Sequence, residues 1–178
     1  GYKGLVVQLS RHIDDIVSYL SADSSRPNLG AEAREIWAKR KPLYYRVAAH
    51  EFRIARGDHD WARLETEWCR FARGLLARAP PQLPPVTSYF LSLTYESLAA
   101  VTSILPQVVS NVDAVELRVD LLQSLDPDFV AEQLALLRSS CSLPTIFTVR
   151  SKDQGGKFEG SAEQMAALLA LGLRHGCE

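Results

Sequence analysis

The stretch Val112-Asp113-Ala114-Val115-Glu116-Leu117-Arg118-Val119-Asp120, answered further along by Thr145-Ile146-Phe147-Thr148-Val149-Arg150, decides the fold. Each is a short apolar run that ends in ionisable groups. Val112, Ala114, Val115, Leu117 and Val119 make a strand too apolar for a solvent-facing edge, yet the same segment carries Glu116, Arg118 and Asp120. Such nearly continuous apolar strands belong to buried parallel sheets. Ionisable groups delivered at the carboxyl ends of buried parallel strands are how α/β barrels assemble their sites. A carboxylate and two guanidinium groups converging there suit a small polyhydroxylated or anionic ligand, because arginine offers a fixed fork of donors.

Working outward, the region around these runs alternates. Strands are predicted over 89–93, 114–119 and 145–149, and helices over 95–108, 128–139 and 161–174. Strands alternating with helices argue a parallel sheet, and three βα units are present. A closed (β/α)8 barrel needs eight units and typically about 250 residues, so this part is expected to be the first three units of a larger barrel. Upstream, Ala79-Pro-Pro-Gln-Leu-Pro-Pro85 forbids helix and resists sheet pairing, and 79–87 is predicted as a semi-rigid linker. Before it, 5–9 reads as a strand and 14–20 as a helix with Ile13, Ile16, Val17 and Leu20 at helical spacing. A loop is expected over 21–30 and a helix over 31–39. A second helix begins near Pro42, where a missing N–H costs nothing in a first turn, and a strand follows over 51–54. Arg56-Gly57-Asp58-His59 reads as a turn. Trp61, Leu64, Trp68, Phe71, Leu75 and Leu76 recur every three or four residues, which predicts an amphipathic helix over 60–78. The arginines of that helix, Arg70, Arg73 and Arg78, share it with Glu65 and Glu67 and read as a solvated face rather than an RNA-binding one.

The chain has 178 residues and a formal net charge of −1, with a hydrophobic share of 47% that is ordinary for a packed globular protein. Near-neutral charge gives no electrostatic case for nucleic acid or a membrane surface. Cys69, Cys141 and Cys177 have no paired spacing, so they read as reduced structural thiols of an intracellular protein rather than a disulfide framework or zinc site. His50 and His59 lack metal-ligand spacing, and no Gly-rich dinucleotide fingerprint occurs. No apolar run approaches membrane-spanning length and the start lacks a signal-peptide plan, so the cytoplasm is the expected compartment. The chain opens Gly1-Tyr2-Lys3 and stops at Glu178, just past a helix; it is expected to be a piece of a longer polypeptide.

The segments Glu116-Leu-Arg-Val-Asp120 and Thr148-Val-Arg150 with Gly155-Gly156 resemble the ELRxD and TxRxxxxGG motifs of type I 3-dehydroquinate dehydratases, in the form found in fungal pentafunctional AROM polypeptides. Ser88-Tyr-Phe-Leu-Ser-Leu-Thr94 is similar to the opening strand of that family. Gly4-Leu-Val-Val-Gln-Leu9, Ser25-Arg-Pro27 and Ala38-Lys-Arg-Lys-Pro-Leu-Tyr44 resemble the last third of a shikimate kinase, which immediately precedes the dehydratase in AROM. The resemblance implies three parts: the tail of a P-loop kinase-type α/β domain over 1–78, the linker over 79–87, and the first three βα units of a (β/α)8 TIM barrel over 88–178. Fungal quinate repressors share this domain order without catalysis, and the motifs leave both readings open.

From spacing alone, Glu116, Arg118 and Arg150 could equally be a structural ion pair at the top of the sheet. The resemblance assigns them to the substrate, holding the ring hydroxyls of 3-dehydroquinate and orienting a catalytic histidine. Gln154 stands where many bacterial members carry a glutamate; an amide there still hydrogen-bonds. Family members form a Schiff base between a lysine and the substrate ketone while a histidine moves protons, and both are expected beyond Glu178. Lys152, Lys157 and His175 match neither, so no catalytic residue is assigned and the chain alone is expected to be inactive. In the kinase part, Arg26 aligns with the arginine that contacts the shikimate carboxylate, and Arg40 and Pro42 with residues flanking the adenine of ATP. Arg26 by itself would read as a solvated loop residue. No G-x-x-x-x-G-K-[ST] phosphate loop occurs anywhere, so this is a remnant and not a whole kinase. The resemblance implies no cofactor or metal for the dehydratase part, ATP and Mg for the kinase domain of the parent, 3-dehydroquinate and shikimate as small-molecule partners, and no nucleic-acid or membrane partner; it also admits a homodimer of the parent.

Overall fold

Every strand among the described residues pairs parallel to its neighbour, as the alternation of apolar runs and helical stretches predicts. The computed structural model describes residues 4–23, 30–76 and 87–177, and contacts divide the chain into two units, 1–60 and 61–178.

In the first unit, β1 (Val7–Ser10), α1 (Ile13–Ala22), α2 (Gly30–Val47) and β2 (His50–Arg53) follow one another. Strands β1 and β2 pair from Val7↔His50 to Ser10↔Arg53. The side chain of His12 caps α1 by accepting from the Asp14 N–H at 3.2 Å. Asp14 then accepts from Arg34 of α2 at 2.6 Å and from Arg56 beyond β2 at 2.7 Å, which ties three segments to one carboxylate. That carboxyl is held below its ordinary range, chiefly by the hydrogen bond from Arg34. One expectation is corrected here: instead of two helices meeting near Pro42, a single helix runs through it. Pro42 cannot donate to the carbonyl of Ala38 and so weakens the helix. Ala38 and Pro42 both lie on an exposed stretch, where water can satisfy the orphaned carbonyl.

In the second unit, α3 (Trp61–Leu76) comes first, then β3 (Phe90–Leu93), α4 (Leu105–Val108), β4 (Ala114–Arg118), α5 (Pro127–Ser140), β5 (Thr145–Thr148) and α6 (Ala162–Arg174). The sheet order is β3-β4-β5, so the strand that carries Glu116 and Arg118 is central. Helix α3 belongs to the second unit, where it packs against α5. Phe71 carries Arg138 of α5 over its ring at 5.4 Å, and Leu64 and Phe71 are buried while Trp61 and Leu76 of the predicted stripe stay exposed. Of the 79–87 linker, 79–86 lies outside the described residues.

Side-chain alternation sorts the sheet into two faces. Leu91, Leu93, Val115, Leu117, Val119, Phe147 and Val149 point to one side and form a continuous core with Val130, Leu134 and Leu137 of α5 and Leu168 and Leu171 of α6. Fully buried leucines such as Leu117 and Leu137 each carry a truncation cost of about 2–5 kcal/mol. Local signals start the helices. Asp126 caps α5, accepting from the N–H groups of Asp128 and Phe129, with Pro127 in the first turn. Ser161 and Gln164 form a reciprocal capping box on α6.

The helix predicted over 95–108 is the second correction: only Leu105–Val108 is helical, after a series of turns. The buried side chain of Gln133 accepts the Leu98 N–H at 2.7 Å, and Ser97 accepts from Ala99. These local bonds take the backbone out of the helical ladder, and Pro106 fits only a first turn.

Candidate active site on the polar face of the sheet

The opposite face of the same sheet holds the ionisable groups. Period-two alternation from Glu116 puts Arg118 on the same side, and strand register sets Ser92 beside Glu116 and Thr148 beside Arg118. Glu116 is buried on the central strand, between β3 and β5. The Ser92 hydroxyl donates to one carboxylate oxygen and the Thr148 hydroxyl to the other, the latter at 2.7 Å. Two hydroxyl donors fix the orientation of this carboxylate and leave it lone pairs for a further donor.

Arg118 ends β4 and turns its fork onto Asp120. Nε donates to Oδ1 at 2.9 Å and NH2 to Oδ2 at 2.8 Å, a bidentate pair whose side chains are 11% and 0% exposed. The hydrogen bond to Asp120 is the main reason Arg118 is held even more firmly protonated than usual, with Glu116 adding to it. Burial alone would raise the Asp120 carboxyl. The Arg118 fork and the backbone N–H groups of Lys157 and Arg150 outweigh that and hold it below the ordinary carboxylate range.

Arg150 follows β5 directly and opens the Gly-Gly loop. The Phe158 N–H donates to the Arg150 carbonyl at 3.1 Å, and the Gly156 N–H to the Ser151 carbonyl at 2.8 Å. The loop folds so closely that a Cβ on Gly156 would sit 2.0 Å from the Arg150 oxygen, and Gly155 takes φ +77°; both positions demand glycine. The Lys157 N–H donates to Asp120 Oδ2 at 3.0 Å, so the loop is anchored to β4. The Arg150 guanidinium makes no hydrogen bond or ion pair with any described residue, and Gln154 is exposed on the turn Lys152–Gln154. A carboxylate braced by two hydroxyls, an arginine braced by an aspartate and an unpaired guanidinium together can hold a small molecule rich in hydroxyl and carboxylate groups.

The sequence-predicted residues thus separate into groups. Glu116 and Arg118 share one face, with Arg150 and Gln154 on the loop that Asp120 ties to it. Arg40 and Pro42 lie exposed on α2 of the other unit, and Arg26 lies outside the described residues. Ser92, Thr148 and Asp120 were not among the predicted site residues. The signal for them was available, since Ser92 and Thr148 stand at the same alternation as Glu116 and Asp120 two residues past Arg118. Lys152 pairs with exposed Glu159, Lys157 is exposed, and His175 is buried behind α6, so none of these stands beside Glu116. A cavity of about 370 Å³ lined by Phe71, Arg138, Thr145 and His175, among others, lies at the other end of the strands and includes no predicted site residue. None of the three cysteines is in a disulfide among the described residues, and the described residues contain no cluster of His, Cys, Asp or Glu fit to hold a metal ion. No helix of the described residues is long and apolar enough to cross a membrane.

Comparison with known proteins follows the same lines. The family model described as Type I 3-dehydroquinase matches residues 89–178. Over 98% of its length the chain is 36% identical to a pentafunctional AROM polypeptide of Scheffersomyces stipitis and 37% identical to one of Komagataella phaffii. It spans only 11% and 12% of those relatives. Among solved structures, the dehydroquinate dehydratase and shikimate dehydrogenase of S. pombe AroM is 40% identical over 51% of this chain and 18% of its own, with a TM-score of 0.48.

Proposed function

The chain belongs to the type I 3-dehydroquinase family, and from that premise we propose that its second unit supplies the substrate-binding side of a 3-dehydroquinate dehydratase within an AROM-type polypeptide of the shikimate pathway. In this reading β3, β4 and β5 are the first three strands of a (β/α)8 barrel, and the face that carries Glu116 is its lumen. The observation that carries it is the polar array itself: Glu116 oriented by Ser92 and Thr148, and Arg118 oriented by Asp120. Arg118 and the unpaired Arg150 would hold the carboxylate and hydroxyls of 3-dehydroquinate, and Gln154 would add an amide from the loop. Glu116 would orient the histidine that moves protons.

The Schiff-base lysine and that histidine would come from other parts of the polypeptide. Lys152, Lys157 and His175 are poorly placed for either role, which supports an inactive isolated chain. Residues 1–78 would be the tail of the neighbouring shikimate kinase domain, with Arg26 toward shikimate and Arg40 and Pro42 beside the adenine of ATP. Matches to AROM polypeptides over 98% of the chain support treating both parts as one inheritance.

The test is steady-state dehydration of 3-dehydroquinate by the longer polypeptide. Arg150→Ala is expected to lower kcat/KM at least about tenfold, the effect of losing a hydrogen bond to a charged partner. Unchanged kinetics would remove Arg150 from the site. Substrate binding without any turnover by the unaltered polypeptide would assign it instead to a non-catalytic regulator.

A further inference from the structure

Arg118 and the loop after Arg150 come from different strands, yet one buried carboxylate holds both. We infer that Asp120 is a positioning residue that locks the substrate-facing arginine of β4 and the Gly-Gly loop of β5 into a single rigid element; this rests on the dehydratase reading above.

Asp120 has a fully buried side chain and spends both oxygens. Oδ1 takes Arg118 Nε, while Oδ2 takes Arg118 NH2 and the Lys157 N–H. Using Nε and NH2 in this way pins the guanidinium by one edge. Both donors of NH1 and the second donor of NH2 remain unspent among the described residues and are left for a ligand. On the loop side, the Lys157 amide is held at one end. At the other, the loop closes on the strand end, the Arg150 carbonyl accepting from the Phe158 N–H at 3.1 Å. Between them Gly156 lies against the Arg150 carbonyl with no room for a side chain. The Arg118 guanidinium and the backbone loop from which Arg150 projects are therefore set in place by one anchor. Without it, a ligand would have to order the Arg118 side chain and the loop on binding, which weakens affinity without touching the bond-breaking step.

Asp120→Asn in the longer polypeptide tests this, since the amide keeps the size and can still accept from Lys157 while losing the charge that fixes Arg118. The expected result is a KM for 3-dehydroquinate raised about tenfold with kcat within about threefold. Combined with Arg118→Lys, the two changes should multiply to less than the product of their separate effects, because they disable one unit. An unchanged KM, a kcat that falls as far as KM rises, or fully multiplicative effects would each overturn the assignment. If Asp120→Asn does not fold, Arg118→Ala reads the same coupling from the other partner. The Lys157 amide should then exchange with solvent at least about tenfold faster, at a site the mutation does not touch, and unchanged exchange would overturn the proposal. Arg150→Ala measured alongside separates the two claims. If it raises KM while Asp120→Asn does not, only the positioning role fails. If neither variant moves the kinetics, the dehydratase reading of this face fails with it.

Discussion

At the scale of single residues, the candidate site is a set of braced charges, and strong acid should release the brace at Asp120. The Asp120 carboxyl is held below its ordinary value, so ionised Asp120 stabilises the fold wherever the unfolded chain would also be ionised. That contribution is complete above the ordinary aspartate value of about 3.9 and is lost as pH falls through the lower folded value. Urea midpoints of the chain and of Asp120→Asn should therefore differ by a constant amount from neutral pH down to about pH 5 and converge in stronger acid. A gap that persists unchanged at pH 2 would contradict the assignment. Gly156→Ala should destabilise the unit by about 1–3 kcal/mol, because its Cβ would fall 2.0 Å from a backbone oxygen; an unshifted denaturation midpoint would show that the loop can yield. Much of this site was legible beforehand. Glu116, Arg118 and Arg150 stand out because charge at the end of an apolar strand needs a reason. What the sequence could not display is pairing: that Arg118 leans on Asp120 rather than on Glu116 depends on how the chain bends into the turn after β4.

At the scale of elements, packing and caps can be tested separately. Gly172 of α6 sits so close to β5 that a Cβ would lie 2.6 Å from Phe147 Cγ. Gly172→Ala should cost about 1–3 kcal/mol by overpacking the helix–sheet contact, read as a lower thermal midpoint. Ser161→Ala should cost about 1 kcal/mol through the lost capping box and leave the sheet intact. A stabilised Gly172→Ala variant would mean that α6 does not pack as described. Strands and the capped helices α5 and α6 were readable because periodicity and cap residues are local. The 95–108 segment misled because its apolar content suits a helix, while the group that dismantles it, Gln133, is far along the chain. Pro42 misled in the other direction: a proline predicts a break, but an exposed helix can carry the loss of one hydrogen bond. The packing of α3 on α5 was invisible for a similar reason, since the apolar stripe of a helix does not say which core it joins.

At the scale of the whole chain, the second unit has three strands among its described residues, with β3 and β5 at the edges of their sheet, and Tyr89 and Phe90 at the start of β3 are largely exposed. Open parallel edges invite pairing with other chains. The isolated 178-residue chain should be marginally stable and associate with rising concentration, as sedimentation would show; a monomer with cooperative unfolding at high temperature would contradict this. On the proposed reading, this chain binds the substrate while other parts of the polypeptide react with it. Borohydride trapping of the longer polypeptide with 3-dehydroquinate, followed by mapping of the modified lysine, tests this division of labour. The expected result is dehydration with the trapped imine on a lysine outside residues 1–178, and no adduct on the isolated chain. An adduct on Lys152 or Lys157 would contradict it.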